Sequence, residues 1–257
     1  MANKIIKRDC LVSFLNEYLN VKNISDDSFN GLQVEGKEDV GKIIFAVDAG
    51  METFQKAKEL GADMVVVHHG IFWQGAMPCI IGVKKQQIDF LLKHGISLYA
   101  AHLPLDLHPE VGNNAQLLKI LGFEKEQPFC RYHGTDISFI GKTAQPKSVE
   151  EIVNLLEKNL GAKCKVLPFG KNKIQRIAVC SGGGANHGIL QEALDKNVDL
   201  YLTGDSTEMY HAVKDSKLNV IFAGHHATET VGVKALAEVV SQELECETLF
   251  LDIPTNL

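Results

Sequence analysis

The order of apolar and polar residues along the chain separates two kinds of segment. Short apolar runs rich in β-branched residues occupy positions 42–47, 63–67, 96–101, 176–180, 198–203 and 219–223. Runs of this kind, bounded by glycine or charged residues, predict buried strands. Between them, apolar residues recur at helical spacing near 51–60, 84–94, 186–196 and 207–215. This alternation of strands and helices predicts an α/β protein.

Two more helices are predicted from their own sequence signals. Near the N-terminus, helical spacing relates the apolar residues Leu11, Phe14, Leu15, Tyr18 and Leu19. Asp9 is placed to cap this helix, and the polar residues within it argue against a signal peptide. Farther along, Ser148 and Glu151 form a capping-box sequence in front of an apolar stripe, which predicts another helix start.

Two pairs of segments within the chain resemble each other. The matching segments are 61–70 with 197–206, and 96–106 with 219–229. The second match aligns His102 with His225 and Asp106 with Glu229, so polar as well as apolar positions agree. We interpret this as two related α/β domains whose strand ends face a shared site. Chance similarity of short apolar strands is the alternative.

The domain organisation follows from the length and from one irregular stretch. A chain of 257 residues is long enough for one large or two small domains. Residues 122–135 show the least regular pattern, and we interpret them as a crossing between domains. The sequence therefore predicts one domain of residues 1–124 plus 219–257, which carries the candidate ligands described next, and a second domain of residues 125–218.

Two adjacent histidines, His68 and His69, follow an apolar strand directly and precede Gly70. Ligands in α/β sheets gather at the carboxyl ends of strands, and a neutral imidazole binds borderline divalent metals well. Consecutive side chains of a strand point to opposite sides, so the pair would serve two neighbouring metals rather than chelate one. A chance histidine pair in a polar loop is the alternative.

The stretch 99–114 also follows a predicted strand. Its metal-binding side chains lie within nine positions and are His102, Asp106, His108 and Glu110. Two prolines predict a structured loop rather than a helix. An aspartate such as Asp106 can bridge two metals through its two oxygens, whereas His108 and Glu110 are expected in a solvated turn. Asn113 and Asn114 are expected to cap the following helix.

A third group of candidate ligands lies at 223–240. If a helix starts near residues 225–228, His225 and Glu229 are four residues apart on one helix face. His226 then points elsewhere, behind the ligands or at the surface. The five best candidates are His68, His69, Asp106, His225 and Glu229. Three imidazoles and two carboxylates suit two divalent cations, which together can activate water for hydrolysis.

Composition narrows the class of partner. The 26 Lys and Arg against 32 Asp and Glu give a net charge of −6, which makes nucleic acid an unlikely partner. The 6 cysteines are scattered without a C-x-x-C motif, which indicates buried thiols in a reducing compartment. Since no run approaches the ~18 apolar residues of a membrane span, we expect a cytoplasmic protein and no membrane partner.

Two further motifs are ambiguous. Ser181 and the three glycines after it link a strand to a helix, a place where backbone N–H groups can bind phosphate. The motif lacks the lysine of a P-loop, which favours a tight turn. Phe72 and Trp73 follow the histidine pair and could stack on a ligand ring, although a lone tryptophan is more often part of a core or an interface.

The same residues resemble the NIF-three-like dinuclear metal-centre family, whose members are often called type 2 GTP cyclohydrolase I homologues. The resemblance covers NGLQVEG at 30–36, VVHHGIFW at 66–73, YAAHLPLDLHPEVGNN at 99–114, SGGGAN at 181–186, DLYLTGD at 199–205 and GHHATETVGVKAL at 224–236. It runs nearly from end to end, and the length is similar to that of the short form, which lacks an inserted domain.

The resemblance implies a fold, an assembly and a set of ligand roles. The implied fold has two interlinked α/β domains, and the implied assembly is a toroidal homohexamer with metal sites facing an internal cavity. Two divalent cations per chain, of iron, zinc or manganese, are implied as cofactors. His68 and His69 would each ligate one metal, Asp106 would ligate one or bridge, His225 would be terminal and Glu229 would bridge. His102 would line the site.

The resemblance also implies a metal-dependent hydrolase that opens the purine ring of GTP at C8 by water attack. Asp106 and Glu229 would act catalytically through metal-bound water, and His102 would lie beside them. A metal-handling protein and a toroidal regulatory scaffold, both without turnover, are the alternatives. The substrate is expected to be a nucleotide or another small molecule. Only three arginines are present, which counts against a dedicated triphosphate pocket.

Overall fold

The computed structural model describes residues 4–76, 79–205 and 207–256. The strands, numbered β1 to β13 in chain order, are Ile6–Lys7, Gly31–Val34, Asp39–Val40, Lys42–Asp48, Met64–His69, Ser97–Ala100, Glu124–Tyr132, Thr135–Lys147, Lys165–Pro168, Ile174–Cys180, Leu200–Thr203, Asn219–Phe222 and Glu247–Phe250. The α-helices, numbered α1 to α9, are Arg8–Tyr18, Met51–Glu59, Gly82–His94, Leu103–Asp106, Asn113–Leu121, Val149–Leu160, His187–Asp195, Tyr210–Ser216 and His225–Leu244. A 3-10 turn covers Val21–Asn23.

The chain forms two units, each built on a mixed sheet. Unit 1 comprises Met1–Leu105 and Val233–Ile253, and its sheet has the order β13-β4-β5-β6-β2. Unit 2 comprises Asp106–Gly232 and Pro254–Leu257, and its sheet has the order β7-β8-β10-β11-β12-β9. The central strands of both sheets are parallel. Antiparallel strands lie at both edges of the unit 2 sheet and at the β2 edge of the unit 1 sheet, whereas its other edge strand, β13, is parallel to β4. The predicted α/β class is confirmed.

The core of unit 1 forms around its parallel strands. Strands β4 and β5 bury nearly every residue, because side chains on both faces of a parallel sheet are covered by helices. One apolar cluster of this core contains Val34, Ile44, Ala46, Phe54, Ala57, Ala62, Val65, Val67, Ile71, Leu91, Ile96, Leu98 and Ala100. The runs that were predicted as strands at 42–47, 63–67 and 96–101 correspond to β4, β5 and β6.

The core of unit 2 contains the helix that was predicted from its capping box. Ser148 Oγ accepts a hydrogen bond from Glu151 N at 3.1 Å, and the Glu151 carboxylate accepts one from Ser148 N at 2.6 Å. These two bonds satisfy backbone donors at the start of α6, which then buries Ile152 and Leu156. The same cluster includes Leu117, Ile177, Leu200 and Ile221.

Unit 2 extends beyond residues 125–218, the approximate bounds predicted for the second domain, at both ends. The stretch 122–135 is not irregular, because most of it forms β7, which pairs with β8 in a long hairpin. As an edge strand, β7 exposes most of its side chains, so the alternation that predicts a strand is absent. Helix α5 packs on α6 and β8, and β12 pairs between β11 and β9, so both elements belong to unit 2.

Three smaller expectations are wrong. Helix α1 has Lys7 at its N-cap without a side-chain cap, and Asp9 pairs with Arg8 instead. The stretch 99–114 contains the short helix α4, since proline is tolerated in a first helical turn. The cysteines are only partly buried, because Cys10 and Cys79 are exposed.

Among residues 4–76, 79–205 and 207–256, no helix is both long enough and apolar enough to cross a membrane.

Candidate metal centre

Three imidazoles converge at one edge of the unit 1 sheet. His68 and His69 end β5, and His102 follows β6, the parallel neighbour of β5. Parallel neighbours end at the same edge of a sheet, so these side chains meet there. One ring nitrogen from each of the three residues lies within 4.8 Å of the others. His102, which was predicted only to line the site, is therefore part of this group.

In each of these imidazoles, Nδ1 makes a hydrogen bond to an oxygen atom. The pairs are His68 Nδ1 with Ala101 O at 2.9 Å, His69 Nδ1 with Asp48 Oδ1 at 2.7 Å, and His102 Nδ1 with Asp26 Oδ1 at 2.9 Å. Carbonyl and carboxylate oxygens only accept, which assigns the proton to Nδ1. In the neutral ring, Nε2 then carries the lone pair that binds metal. Metal-ligating histidines generally have such a partner on the other nitrogen.

Asp26 orients the His102 ring through the hydrogen bond to Nδ1. This residue was not predicted from the sequence. Its buried carboxylate also accepts hydrogen bonds from the backbone N–H groups of Ser28 and Leu103 and from the Asn30 amide. Burial on its own would raise the pKa of Asp26, but the hydrogen bond and charge of His102, with the other donors, lower it to about 2. Asp26 is therefore a fixed anion behind the imidazole at neutral pH.

The second group of candidate ligands lies in unit 2, at the start of α9. His225 Nε2 lies 3.2 Å from Glu229 Oε1, one helical turn away, as the i, i+4 spacing predicts. His225 Nδ1 lies 3.0 Å from Asp205 Oδ1, so this imidazole has the same arrangement as those of unit 1. Glu229 is only 2% exposed. Burial of a carboxylate is costly unless it is paired, and the helix places His225 beside Glu229 as such a partner.

Asp106 is held by donors from two other segments of unit 2. Its Oδ1 accepts from Asn113 Nδ2 at 2.8 Å and from Ser181 Oγ at 3.0 Å. Asn114 donates to the Asp106 carbonyl and accepts from the N–H of Ser181. The two asparagines thus position Asp106 and do not cap α5, whose N-cap is Gly112. Ser181 is a further positioning residue that sequence reasoning missed.

The turn after Ser181 leaves room for the ligand pair. Gly182 has a positive φ of 60°, and a Cβ there would overlap Glu229 Oε1 and lie 3.0 Å from His225 Nε2. The Gly182 carbonyl accepts from the N–H of Asp205 at 2.9 Å, which fixes the residue behind His225. The tight turn that was predicted here forms, and it needs glycine because the ligand side chains pack against its backbone.

The remaining histidines and acids of these motifs have other environments. His108 is buried, not solvated, and its Nδ1 accepts from the N–H groups of Glu110 and Val111. Glu110 is exposed, as expected. His226 is buried rather than at the surface.

The donor set fits divalent metal ions. Imidazole nitrogens and carboxylate oxygens are the ligands that zinc, iron and manganese accept. Each candidate imidazole is oriented by an oxygen on Nδ1, and the Asp106 carboxylate is oriented by donors. Such supporting hydrogen bonds are typical of metal sites. Residues of both units could therefore hold metal.

Comparison with known proteins identifies the family. The family model described as Duf34/NIF3 (NGG1p interacting factor 3) matches residues 6–256. A Pyrococcus horikoshii protein named GTP cyclohydrolase 1 type 2 homolog is 49% identical over 97% of this chain and 99% of its own length. An Escherichia coli K12 protein of the same name is 40% identical over 97% and 99%. A crystal structure of a Thermus thermophilus protein has a TM-score of 0.89 and 38% identity, covering 98% of this chain and 100% of that one. The chain belongs to the DUF34/NIF3 family.

Proposed function

We propose that this protein binds two divalent metal ions and uses them to hydrolyse a small molecule. The ligands in this proposal are the five residues His68, His69, Asp106, His225 and Glu229. The observation that supports it best is that every candidate imidazole has Nδ1 bonded to an oxygen. Two bound divalent cations lower the pKa of water and stabilise negative charge that develops on a substrate oxygen.

The protein contributes ligands that are held in place before metal arrives. Ala101 O and Asp48 fix the rings of His68 and His69, so little side-chain entropy is lost on binding. Asn113 and Ser181 fix the rotation of the Asp106 carboxylate. The buried Glu229 carboxylate would share its two oxygens between both metals, which offsets the cost of burying its charge.

The finer proposal concerns the reaction, the assembly and the location. Relatives named GTP cyclohydrolase 1 type 2 homolog support hydrolysis of GTP at purine C8 as the first reaction to test. We also propose a toroidal homohexamer in the cytoplasm, with iron, zinc or manganese as the metal. Light scattering is expected to give a mass near six chains, and a monomer at micromolar concentration would contradict the assembly.

Metal analysis tests the ligand set. Protein purified without chelators is expected to contain close to two equivalents of divalent metal per chain. Glu229→Ala is expected to lose most of both, because the carboxylate belongs to both coordination spheres. Glu243→Ala on the exposed part of the same helix is the matched control and should keep its metal. Equal metal content in the two variants would exclude the bridging role of Glu229.

Formate release from GTP tests the reaction. Metal-loaded protein is expected to release formate slowly, and Asp106→Ala is expected to abolish the release. Asp106→Ala removes the carboxylate that Asn113 and Ser181 position. Equal rates for the two proteins would assign the signal to contamination. A protein that binds metal without turnover would then be the better description.

A further inference from the structure

Unit 1 contains a cavity that the five proposed ligands do not line. Its volume is about 450 Å³, within the range of small-molecule sites. It lies between the start of β2 and the segment that follows β5, and its aromatic walls are Phe29, Phe72 and Trp73. Leu32 and Gln33 complete the side formed by β2.

Backbone hydrogen bonds hold the aromatic walls in place. Ser28 pairs with Trp73 in an antiparallel bridge, and the N–H of Phe29 donates to Phe72 O at 3.1 Å. The N–H of Gln74 donates to Asp27 O at 2.6 Å in the same ribbon. The three rings are therefore carried by two segments fixed to each other. A preformed wall costs little ordering entropy when a ligand binds.

The polar side chains of the cavity mostly support its frame. Gln33 donates to Phe29 O and accepts from the N–H of Ile71, both at 2.8 Å. Trp73 Nε1 donates to Gly70 O at 2.9 Å. A Cβ on Gly70 would overlap the Gln33 amide, so glycine permits this arrangement. These groups leave aromatic faces, rather than hydrogen-bonding groups, as the main surface for a ligand.

One cation lies at the cavity. Among the described residues that line it, Lys84 is the only charged one. Its Nζ lies 4.9 Å from the centroid of the Phe72 ring, a cation–π distance. The cavity also borders the histidine group, because the ring centroid of its lining residue Trp73 is 5.0 Å from that of His102 and 6.1 Å from that of His69.

We infer that this cavity binds a planar aromatic molecule that carries one anionic group. Aromatic faces match an aromatic ring, and the ammonium of Lys84 matches a carboxylate, sulfonate or phosphate on that ring. Phe29 is 57% exposed, so stacking on a ligand would remove apolar surface from water. The inference rests on the proposed function only in that the bound ring would lie beside the candidate ligands. Binding itself requires no metal.

Fluorescence of Trp73 reports the binding directly, because this is the only tryptophan of the chain. The probe is 6-nitro-2-naphthoate, a planar anion that quenches tryptophan, added to protein in excess chelator. We expect saturable quenching that an excess of cyclohexanecarboxylate, an anion without an aromatic ring, does not reverse. The neutral alcohol analogue, 6-nitro-2-naphthalenemethanol, should bind about tenfold more weakly because it lacks the charge. Quenching without saturation would overturn the inference.

Two lysine variants test the role of the charge. Lys84→Met keeps most of the side-chain length and removes the ammonium, and we expect its Kd for the probe to rise about tenfold. Lys85→Met, at the exposed neighbouring position, should bind as the wild type does. Equal Kd values in the two variants would overturn the inference. The Glu229→Ala variant should still bind the probe, so failure of the cavity and failure of the metal site are distinguishable.

Discussion

Each unit has, within itself, the same pattern of hydrogen bonds at the point where its central strands begin. In unit 1, Asp63 accepts from the N–H groups of Gly41 and Lys42 and donates its own N–H to Lys42 O at 2.9 Å. In unit 2, Asp199 accepts from two consecutive N–H groups near the start of β10 and donates its N–H to Arg176 O, also at 2.9 Å. These aspartates occupy matching positions of the internal repeat. The repeat therefore extends from sequence to hydrogen bonding.

The units differ in the side chains at the carboxyl ends of their central strands. Unit 1 has an imidazole, His69, at the end of β5 and a carboxylate, Asp48, on the neighbouring strand. Unit 2 has the carboxylate Asp205 after β11 and the imidazole His225 after β12. At the matching position of the repeat, a carboxylate in unit 2 replaces the imidazole of unit 1, and its hydrogen-bond partner comes from the neighbouring strand on the opposite side. The strand starts therefore have the same stabilising hydrogen bonds in both units, whereas the strand ends have side chains of different chemistry.

The supporting hydrogen bonds depend on the type of side chain rather than on the unit, since His225 of unit 2 also has an acceptor at Nδ1. The imidazoles of unit 1 have oxygen acceptors behind them, which place the proton on Nδ1 and leave Nε2 with the lone pair. Asp106 of unit 2 has donors behind it, from Asn113 and Ser181. Each ligand type is therefore oriented by the complementary kind of hydrogen-bonding group.

The largest expected effect comes from the glycine turn of unit 2. Gly182→Ala would place a methyl group against Glu229 at a left-handed backbone position. We expect a loss of about 3 kcal/mol in the free energy of unfolding, from strain and overpacking together. Urea unfolding measures it. Gly183→Ala is the control, since its Cβ would meet only Asp205 at an ordinary 3.5 Å and His225 at 3.8 Å. Equal losses would show that unit 2 does not depend on this turn.

A smaller effect is expected from replacing Asp26, the buried carboxylate of unit 1. Asp26→Asn keeps the shape but replaces one acceptor oxygen by an amide, which disturbs the bond to His102 Nδ1 and the backbone donors. We expect a loss of about 2 kcal/mol in the free energy of unfolding. The exposed Asp89→Asn on α3 should change it by less than about 0.5 kcal/mol. An Asp26→Asn variant as stable as the wild type would show that unit 1 does not depend on an anionic acceptor at His102 Nδ1.

The smallest effect is expected from Asp199, the aspartate at the start of the central strands of unit 2. Burial on its own would raise the pKa of Asp199, but two backbone N–H donors and the ion pair with Lys171 hold it below the usual range. A lowered folded-state pKa stabilises the protein above the unfolded pKa, and this contribution is lost as pH falls through the folded value.

Asp199→Asn should therefore be less stable than the wild type near neutral pH, by under about 1 kcal/mol because solvent screens this partly exposed group. The difference should shrink below about pH 4. Urea unfolding across this range measures it. A difference that does not change with pH would mean that the Asp199 charge contributes nothing beyond its shape.

The sequence predicted the elements with strong patterns and the residues with metal-binding chemistry. The parallel strands are continuous apolar runs, and the candidate ligands follow them directly. Their supporting residues could not be predicted, because Asp26 and Ser181 act through hydrogen bonds to residues that lie 76 and 75 positions away. Strand β7 was missed because an exposed edge strand has no buried face to impose alternation.

The order of the two units along the chain has a consequence for synthesis. The last strand of the unit 1 sheet, β13, pairs with β4 and lies after nearly all of unit 2 in the sequence. A ribosome therefore delivers every strand of the unit 2 sheet before the unit 1 sheet can close its edge. Because domains generally fold as units once their residues have emerged, the sheet of unit 2 can form before the sheet of unit 1 is complete. A nascent chain that ends before β13 would leave β4 as an open edge, at which incomplete chains can associate.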